Sequence, residues 1–210
     1  MGLFIKRFLL LVLALVLAAL LAGYLLLRGS LPQVQGNRTL PGLSAPVRLE
    51  RDSNGVLTVT ADNDAVMARA LGFVHAQERY FEMDLLRRSS SGELSELFGK
   101  IAIEKDKSAR VHRLRARIRE HYSEMAGNDA ATLQAYADGV NAGLAALKVR
   151  PWPYLLLNSQ PKAWLPEDSF LIGYAMFFDL QDESNDREFK LWQLHAALPH
   201  AIYNLLTQTE

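Results

Sequence analysis

The sequence predicts an α+β fold that is mostly helical, opened by a β-hairpin and preceded by one transmembrane helix. Three observations predict it: an apolar run from Phe8 to Leu27, two short strand-like segments flanking a turn at Asp52–Gly55, and apolar residues recurring at three- and four-residue spacing through most of the remainder. Within the 20-residue run only Gly23 falls outside the apolar set, whereas the whole chain of 210 residues is 50% hydrophobic. Once the run is set aside, the composition is that of an ordinary water-soluble domain.

At 1.5 Å per residue the run reaches about 30 Å, the thickness of a bilayer's hydrocarbon core. A cleaved signal peptide is the competing reading, because Lys6 and Arg7 form a basic n-region and small residues occur around Ala18, Ala19, Ala22 and Gly23. The run continues through Tyr24 to Leu27, past those sites, which favours an uncleaved anchor. The boundaries are then a cytoplasmic n-region at 1–7, a membrane anchor at 8–28, a tether at 29–45 and a folded region at 46–210. With Lys6 and Arg7 before the span and Arg28 alone close behind it, the positive-inside bias puts the amino terminus in the cytoplasm and the main region on the periplasmic side.

The tether is marked by Gly29, Pro32 and Gly36, and Pro41-Gly42 and Pro46 continue the irregular stretch. Val47 to Arg51 alternates, Asp52-Ser-Asn-Gly55 supplies a turn, and Val56 to Thr60 is β-branched and apolar, which reads as a hairpin. Asp62 and Asn63 are N-cap candidates for a helix from about Asp64 to Arg88, with Val66, Ala70, Phe73, Val74, Phe81 and Leu85 on its buried face. Gly92 interrupts it, Glu93 to Phe98 forms another turn or two, and Gly99 stops that piece.

Between about Lys107 and Met125, Val111, Leu114, Ile118 and Tyr122 hold helical spacing, and the basic residues on the other faces read as a solvated surface. Asn128 or Asp129 caps a helix to about Leu147 with Leu133, Tyr136, Val140 and Leu144 inward, and a proline-marked linker surrounds Tyr154–Leu157. Leu165-Pro-Glu-Asp168 starts the next helix, which runs to about Phe178, because proline suits the first turn and acids suit the positive end of the helix dipole. Further helices are expected from about Asp186 to Ala197 and after Pro199.

Beyond residue 28 the chain carries 20 basic against 23 acidic residues, so neither a phosphate-seeking surface nor a nucleic-acid partner is expected. The absence of cysteine excludes disulfides, thiol nucleophiles, iron–sulfur clusters and cysteine zinc sites. His75, His112, His121, His195 and His200 include no pair at the i, i+4 spacing of a helical metal site, and the chain has no GxSxG elbow, phosphate-binding glycine loop or SxxK. The residues taken alone therefore lead to an anchored, extracytoplasmic, helix-rich domain and no further.

Five blocks lead further: Arg51-Asp52-Ser-Asn-Gly55-Val56; Leu71-Gly72-Phe-Val-His75-Ala-Gln77-Glu78-Arg79-Tyr-Phe81-Glu-Met83-Asp84-Leu-Leu-Arg87-Arg88; Gly92-Glu-Leu-Ser-Glu96-Leu-Phe98-Gly99; Ala135-Tyr136-Ala-Asp138-Gly139-Val-Asn141-Ala142; and Trp164-Leu-Pro166-Glu-Asp168. In this order and at these intervals they resemble the amino-terminal α-chain region of the penicillin acylase family, over roughly Pro41 to Leu206. Glu78, where the family usually has Asp, and Leu57, where Pro is common, are mild departures.

The resemblance implies the α-chain region of an N-terminal-nucleophile amide hydrolase, made as a precursor that cuts itself into an α and a larger β chain. The family's nucleophile is the serine at the start of the β chain, with its own α-amino group as base. Ser53-Asn54 and Ser184-Asn185 do not fit that role, so no catalytic residue is expected within this chain, which is read as a fragment inactive alone, with the β chain as its partner.

By the same resemblance, Met176, Phe177, Phe178 and Leu180, in the stretch that includes Asp179, line the pocket for the acyl part of an N-acyl small-molecule substrate such as a penicillin. Glu188 is the nearest match to a glutamate that binds a structural calcium ion in some members. The alternative is a membrane-anchored, non-catalytic binding or scaffold domain of the same fold.

Overall fold

The computed structural model describes residues 2–181 and 186–207, and Ser184-Asn185 lies outside them. The chain forms two compact units, 1–172 and 173–210. The first opens with α1 (Gly2–Gly29), followed by the antiparallel hairpin β1 (Arg48–Arg51) and β2 (Leu57–Thr60), paired from Arg48 with Thr60 to Arg51 with Leu57. A long helix α2 (Asp64–Ser91) comes next, then α3 (Ser95–Phe98), α4 (Ile103–Arg110), α5 (Leu114–Glu120), α6 (Tyr122–Ala126), α7 (Ala130–Ala145) and α8 (Trp152–Leu156). Helix α9 (Asp168–Leu180) starts in the first unit, and α10 (Asp186–Ala197) and α11 (His200–Thr207) belong to the second.

The hairpin turn is built by its own side chains. Asp52 Oδ1 accepts from the N–H groups of Asn54 and Val56 at 2.9 Å each, and Gly55 takes φ +81°, which a residue with a Cβ adopts only under strain. Arg51 donates to the Gly55 carbonyl (3.0 Å) and pairs with Glu78 of α2, so the hairpin is tied to the helix. Asn63 is the N-cap, its side chain accepting from Val66 N–H at 3.0 Å. At the other end of α2, Gly92 closes the helix at φ +69°, and both its N–H and that of Glu93 bond to Arg88 O. Helical geometry is interrupted once, at Arg79 (φ −144°, ψ 26°).

The main contact in the first unit is α2 against α7. It is close because small residues line it: a Cβ placed on Gly72 would lie 3.0 Å from Val140 N, one on Gly139 3.0 Å from Arg69 Cα, and one on Gly143 3.0 Å from Ala76 Cβ. Ala76, Tyr80, Met83, Ala137, Val140, Tyr154 and Trp164 form the core, with Phe81 and Tyr136 packed against it. The Asn141 amide locks the following loop to α7, accepting from Trp164 N–H and donating to Trp164 O at 2.8 Å each.

Three expectations are corrected. The single helix anticipated from about Lys107 to Met125 is three short ones, broken at Arg113, whose φ is +52°, and at His121 (φ −109°, ψ 17°). Leu114 and Ile118 are buried as anticipated, but Val111 is exposed, so the apolar spacing did not describe one continuous face. The stretch around Tyr154, anticipated as linker, is helix α8 with Tyr154 wholly buried. Asp129 makes no side-chain cap to α7, which is entered instead through a 3-10 turn at Gly127–Asp129.

Candidate functional site

Two groups of residues are candidates: an ionic network in the first unit and the apolar end of α9. The network begins with Asp84, which has no solvent exposure. Its Oδ1 accepts from Arg87 Nε (2.7 Å), and its Oδ2 from Arg88 Nε (2.8 Å) and the Tyr154 hydroxyl (2.6 Å). Spacing of three and four residues on α2 brings both arginines to the carboxylate. Arg87 also donates to Asp168 Oδ2 (2.5 Å), to the carbonyls of Ala163 (2.9 Å) and Lys162 (3.1 Å), and to the Tyr80 hydroxyl (3.2 Å). Its guanidinium lies 4.9 Å from the Trp164 ring centre.

Asp168, the first residue of α9 and fully buried, accepts from Arg87, from Arg115 Nη1 (2.7 Å) and from Leu165 N–H (2.8 Å). Arg115 reaches Glu93 through two further bonds of 2.6 and 2.9 Å, and Arg88 pairs with Glu96, which also meets Lys162. Burial works against the charged Arg87, yet Tyr80, Asp168 and Asp84 hold its pKa above the ordinary value. Burial pushes the Tyr80 and Tyr154 hydroxyls well up; at Tyr154 the Asp84 carboxylate adds to it, and at Tyr80 Arg87 opposes it. At Glu96 burial is outweighed by hydrogen bonds from Lys162 and Arg88, which hold its carboxyl below the usual range.

A cavity of about 190 Å³ lies beside this network, lined by Arg87, Arg88, Arg115, Lys162 and Asp168 among others. With every nitrogen of Arg87 committed to a neighbour, this guanidinium is a brace rather than a substrate ligand. The network consists mostly of residues from the second, third and fifth sequence blocks. Those blocks therefore mark the frame of the domain: they join the second half of α2 to the 162–168 loop and to the start of α9.

A second titratable contact stands on the α2–α7 pair. His75 Nδ1 lies 3.0 Å from the Tyr136 hydroxyl, and burial, then Arg79, hold the imidazole pKa below the ordinary 6.5. Burial likewise pushes Tyr136 up to about 12. Because the folded state disfavours protonated His75, the unfolded chain binds the extra proton; the contribution is present above pH 6.5 and is lost as pH falls through the depressed folded value. Denaturant midpoints measured from about pH 8 down to about pH 5 should fall for the parent protein and fall less for His75→Gln. Equal slopes for the two would remove His75 from the account.

The anticipated pocket residues lie on the part of α9 that belongs to the second unit. Met176 is 61% exposed, Phe177 53% and Leu180 75%, while Phe178 is half-buried and meets Phe177 edge to face at 5.7 Å between ring centres. Asp179 is exposed. Glu188 is exposed in the first turn of α10, and among the described residues no three His, Asp or Glu side chains converge as a metal site. Sequence reasoning missed the network, although Asp84 with Arg87 and Arg88 carried a legible signal in their helical spacing; nothing local pointed to Tyr154 or Arg115.

Comparison with known proteins bears directly on this frame. The penicillin amidase family model matches residues 46–208. The chain is 38% identical over 173 residues to the penicillin acylase 2 proenzyme of Pseudomonas sp. strain SE83, covering 82% of this chain and 22% of that protein. It is 30% identical over 159 residues to the acyl-homoserine lactone acylase QuiP of Pseudomonas aeruginosa, covering 73% and 19%. It thus spans about a fifth of the length of these curated relatives. Among solved structures, a thermostable penicillin G acylase from Alcaligenes faecalis superposes with a TM-score of 0.60 at 24% identity, over 79% of this chain and 93% of that one, which shows a shared fold. The family match covers the hairpin, the helix pair, the ionic frame and the apolar end of α9, so the chain belongs to the penicillin amidase family.

Proposed function

We propose that this chain is the amino-terminal, α-type region of a membrane-anchored amide hydrolase, with α1 retained as the anchor and the main region on the periplasmic side. Its task is to hold the acyl group of an N-acyl small molecule, and the nucleophilic serine comes from a β region of the same precursor. The observation that carries this reading is the set of large apolar side chains exposed at Met176, Phe177 and Leu180, where the family resemblance puts the acyl pocket. Such side chains favour an aromatic or aliphatic acyl group by desolvation, worth about 0.8 kcal/mol per buried methylene. Relatives named for penicillins and for acyl-homoserine lactones agree with an acyl group as the part recognised.

Calcium has a narrower place in the proposal. The ion takes about six to eight oxygens, and the described residues alone do not fit such a site. Glu188 is proposed as one ligand, the remaining oxygens coming from the β region, and no step of the reaction passes through the ion.

In the full-length, matured enzyme, Phe178→Ala or Met176→Ala should change the ranking of phenylacetyl against straight-chain acyl amides by about 1–3 kcal/mol in kcat/KM, the range for hydrophobic discrimination of this size. His75→Gln should leave the ranking unchanged. Pocket variants that lose stability but keep the parent's preference would assign Met176 and Phe178 to packing. A full-length protein with no amidase activity on any N-acyl compound would favour the scaffold reading.

A further inference from the structure

The residues that leave α1 do not form a free tether at their start. The Gly29 carbonyl accepts from Val149 N–H (3.1 Å), and the buried Ser30 Oγ accepts from Trp152 N–H (2.7 Å). A Cβ on Gly29 would lie 2.5 Å from Val149 Cγ2, so a side chain there fits only if Val149 gives way. Only Arg28 separates Leu27, the last residue of the apolar run, from this seat. Two residues of helix rise about 3 Å, whereas the headgroup layer on each side of the hydrocarbon core is about 5–7 Å thick. If the run fills the core, Val149 and Trp152 lie at headgroup depth.

The side chains there suit that depth. Trp152 is 51% exposed and Leu156 76%, and Arg28 donates to the Tyr24 hydroxyl (3.0 Å) one turn back on α1. Tryptophan and tyrosine favour the membrane interface because one part of the ring system is apolar and another polar. Lys148 and Arg150 flank the seat. No acidic residue occurs in 1–49 or in 139–166, the two stretches that meet here, although acids outnumber bases beyond residue 28. This local charge complements anionic phospholipid.

We propose that α1 is docked on the domain through Gly29 and Ser30, and that the 148–157 segment is a second bilayer contact, Trp152 and Leu156 entering the headgroup layer and Lys148 and Arg150 meeting anionic lipid phosphates. This rests on the reading of α1 as a retained span. The test uses the full-length protein in vesicles of mixed phosphatidylglycerol and phosphatidylcholine, with a nitroxide attached through Leu156→Cys or, for reference, Val56→Cys in the exposed hairpin turn. The label at 156 should be several-fold more accessible to oxygen and less accessible to aqueous nickel chelate than the label at 56, and Gly29→Val should abolish that difference without releasing the protein from the vesicles.

Equal aqueous exposure at both positions in a vesicle-bound protein overturns the docking and leaves the anchor standing. Protection at 156 that survives Gly29→Val overturns the seat on α1. A soluble species whose amino terminus lies between Ala19 and Ser30 overturns the anchor and the docking with it.

Discussion

Replacing Asp84 by Ala should cost about 3–5 kcal/mol of stability, the range for removing one partner of a buried ion pair. The substitution leaves Arg87 Nε, Arg88 Nε and the Tyr154 hydroxyl, all on buried residues, without their acceptor. Arg87 retains Asp168 and Arg88 retains Glu96, so the chain is not expected to lose the fold outright. Its unfolding midpoint in denaturant should nonetheless fall far more than that of Glu50→Ala. Glu50 pairs with Arg48 at 2.7 Å, but their side chains are 52% and 75% exposed, and such pairs contribute about 0–1 kcal/mol because water screens them. Similar losses in the two variants, measured in the full-length protein, would show that the network is energetically neutral.

Gly139→Val should be the second most damaging change, at or above the top of the range of about 1–3 kcal/mol for overpacking. A Cβ at this position would lie 2.8 Å from the Arg69 carbonyl carbon and 3.0 Å from Arg69 Cα. Both obstacles are backbone, so no rotamer change on α2 makes room, and the two helices must separate. Separation also weakens the ion pair of Arg69 with Asp138 (2.7 Å) and the packing of Val140 in the core. Gly55→Ala is the instructive contrast, since nothing lies within 4 Å of its Cβ and the cost there comes only from φ +81°. Thermal unfolding should rank Gly139→Val well below Gly55→Ala; the reverse order would mean that the α2–α7 approach is looser than described.

The two variants also separate what local sequence encodes from what it does not. The hairpin, the Asn63 cap, the stop at Gly92, and the starts of α9 and α10 were all legible, because each depends on residues within a few positions of one another. The extent of the helix expected from Lys107 to Met125 was not legible. Leu114 and Ile118 are one turn apart and both buried, and that spacing continues on paper through Val111 and Tyr122; yet the chain turns at Arg113 and His121, so Val111 faces solvent. Tyr154 was hidden for another reason: a tyrosine between prolines reads as linker unless an acceptor as distant as Asp84 is known to be waiting for it.

Of the proposed site, the sequence by itself determined membership of the family and the apolar character of the Met176–Leu180 stretch, since both are properties of residue order. Tertiary structure alone decided what the recognised blocks are for. Asp84, Arg87, Glu93, Arg115 and Asp168 are spread over more than eighty positions and become one network only when α2, α5 and the start of α9 are packed together. The physical reason is that helical periodicity reports which face of an element is buried and brings Arg87 and Arg88 to Asp84, whereas the remaining partners of Arg87 and those of Asp168 arrive from other elements. Their arrival depends on chain topology, which no local pattern of residues specifies.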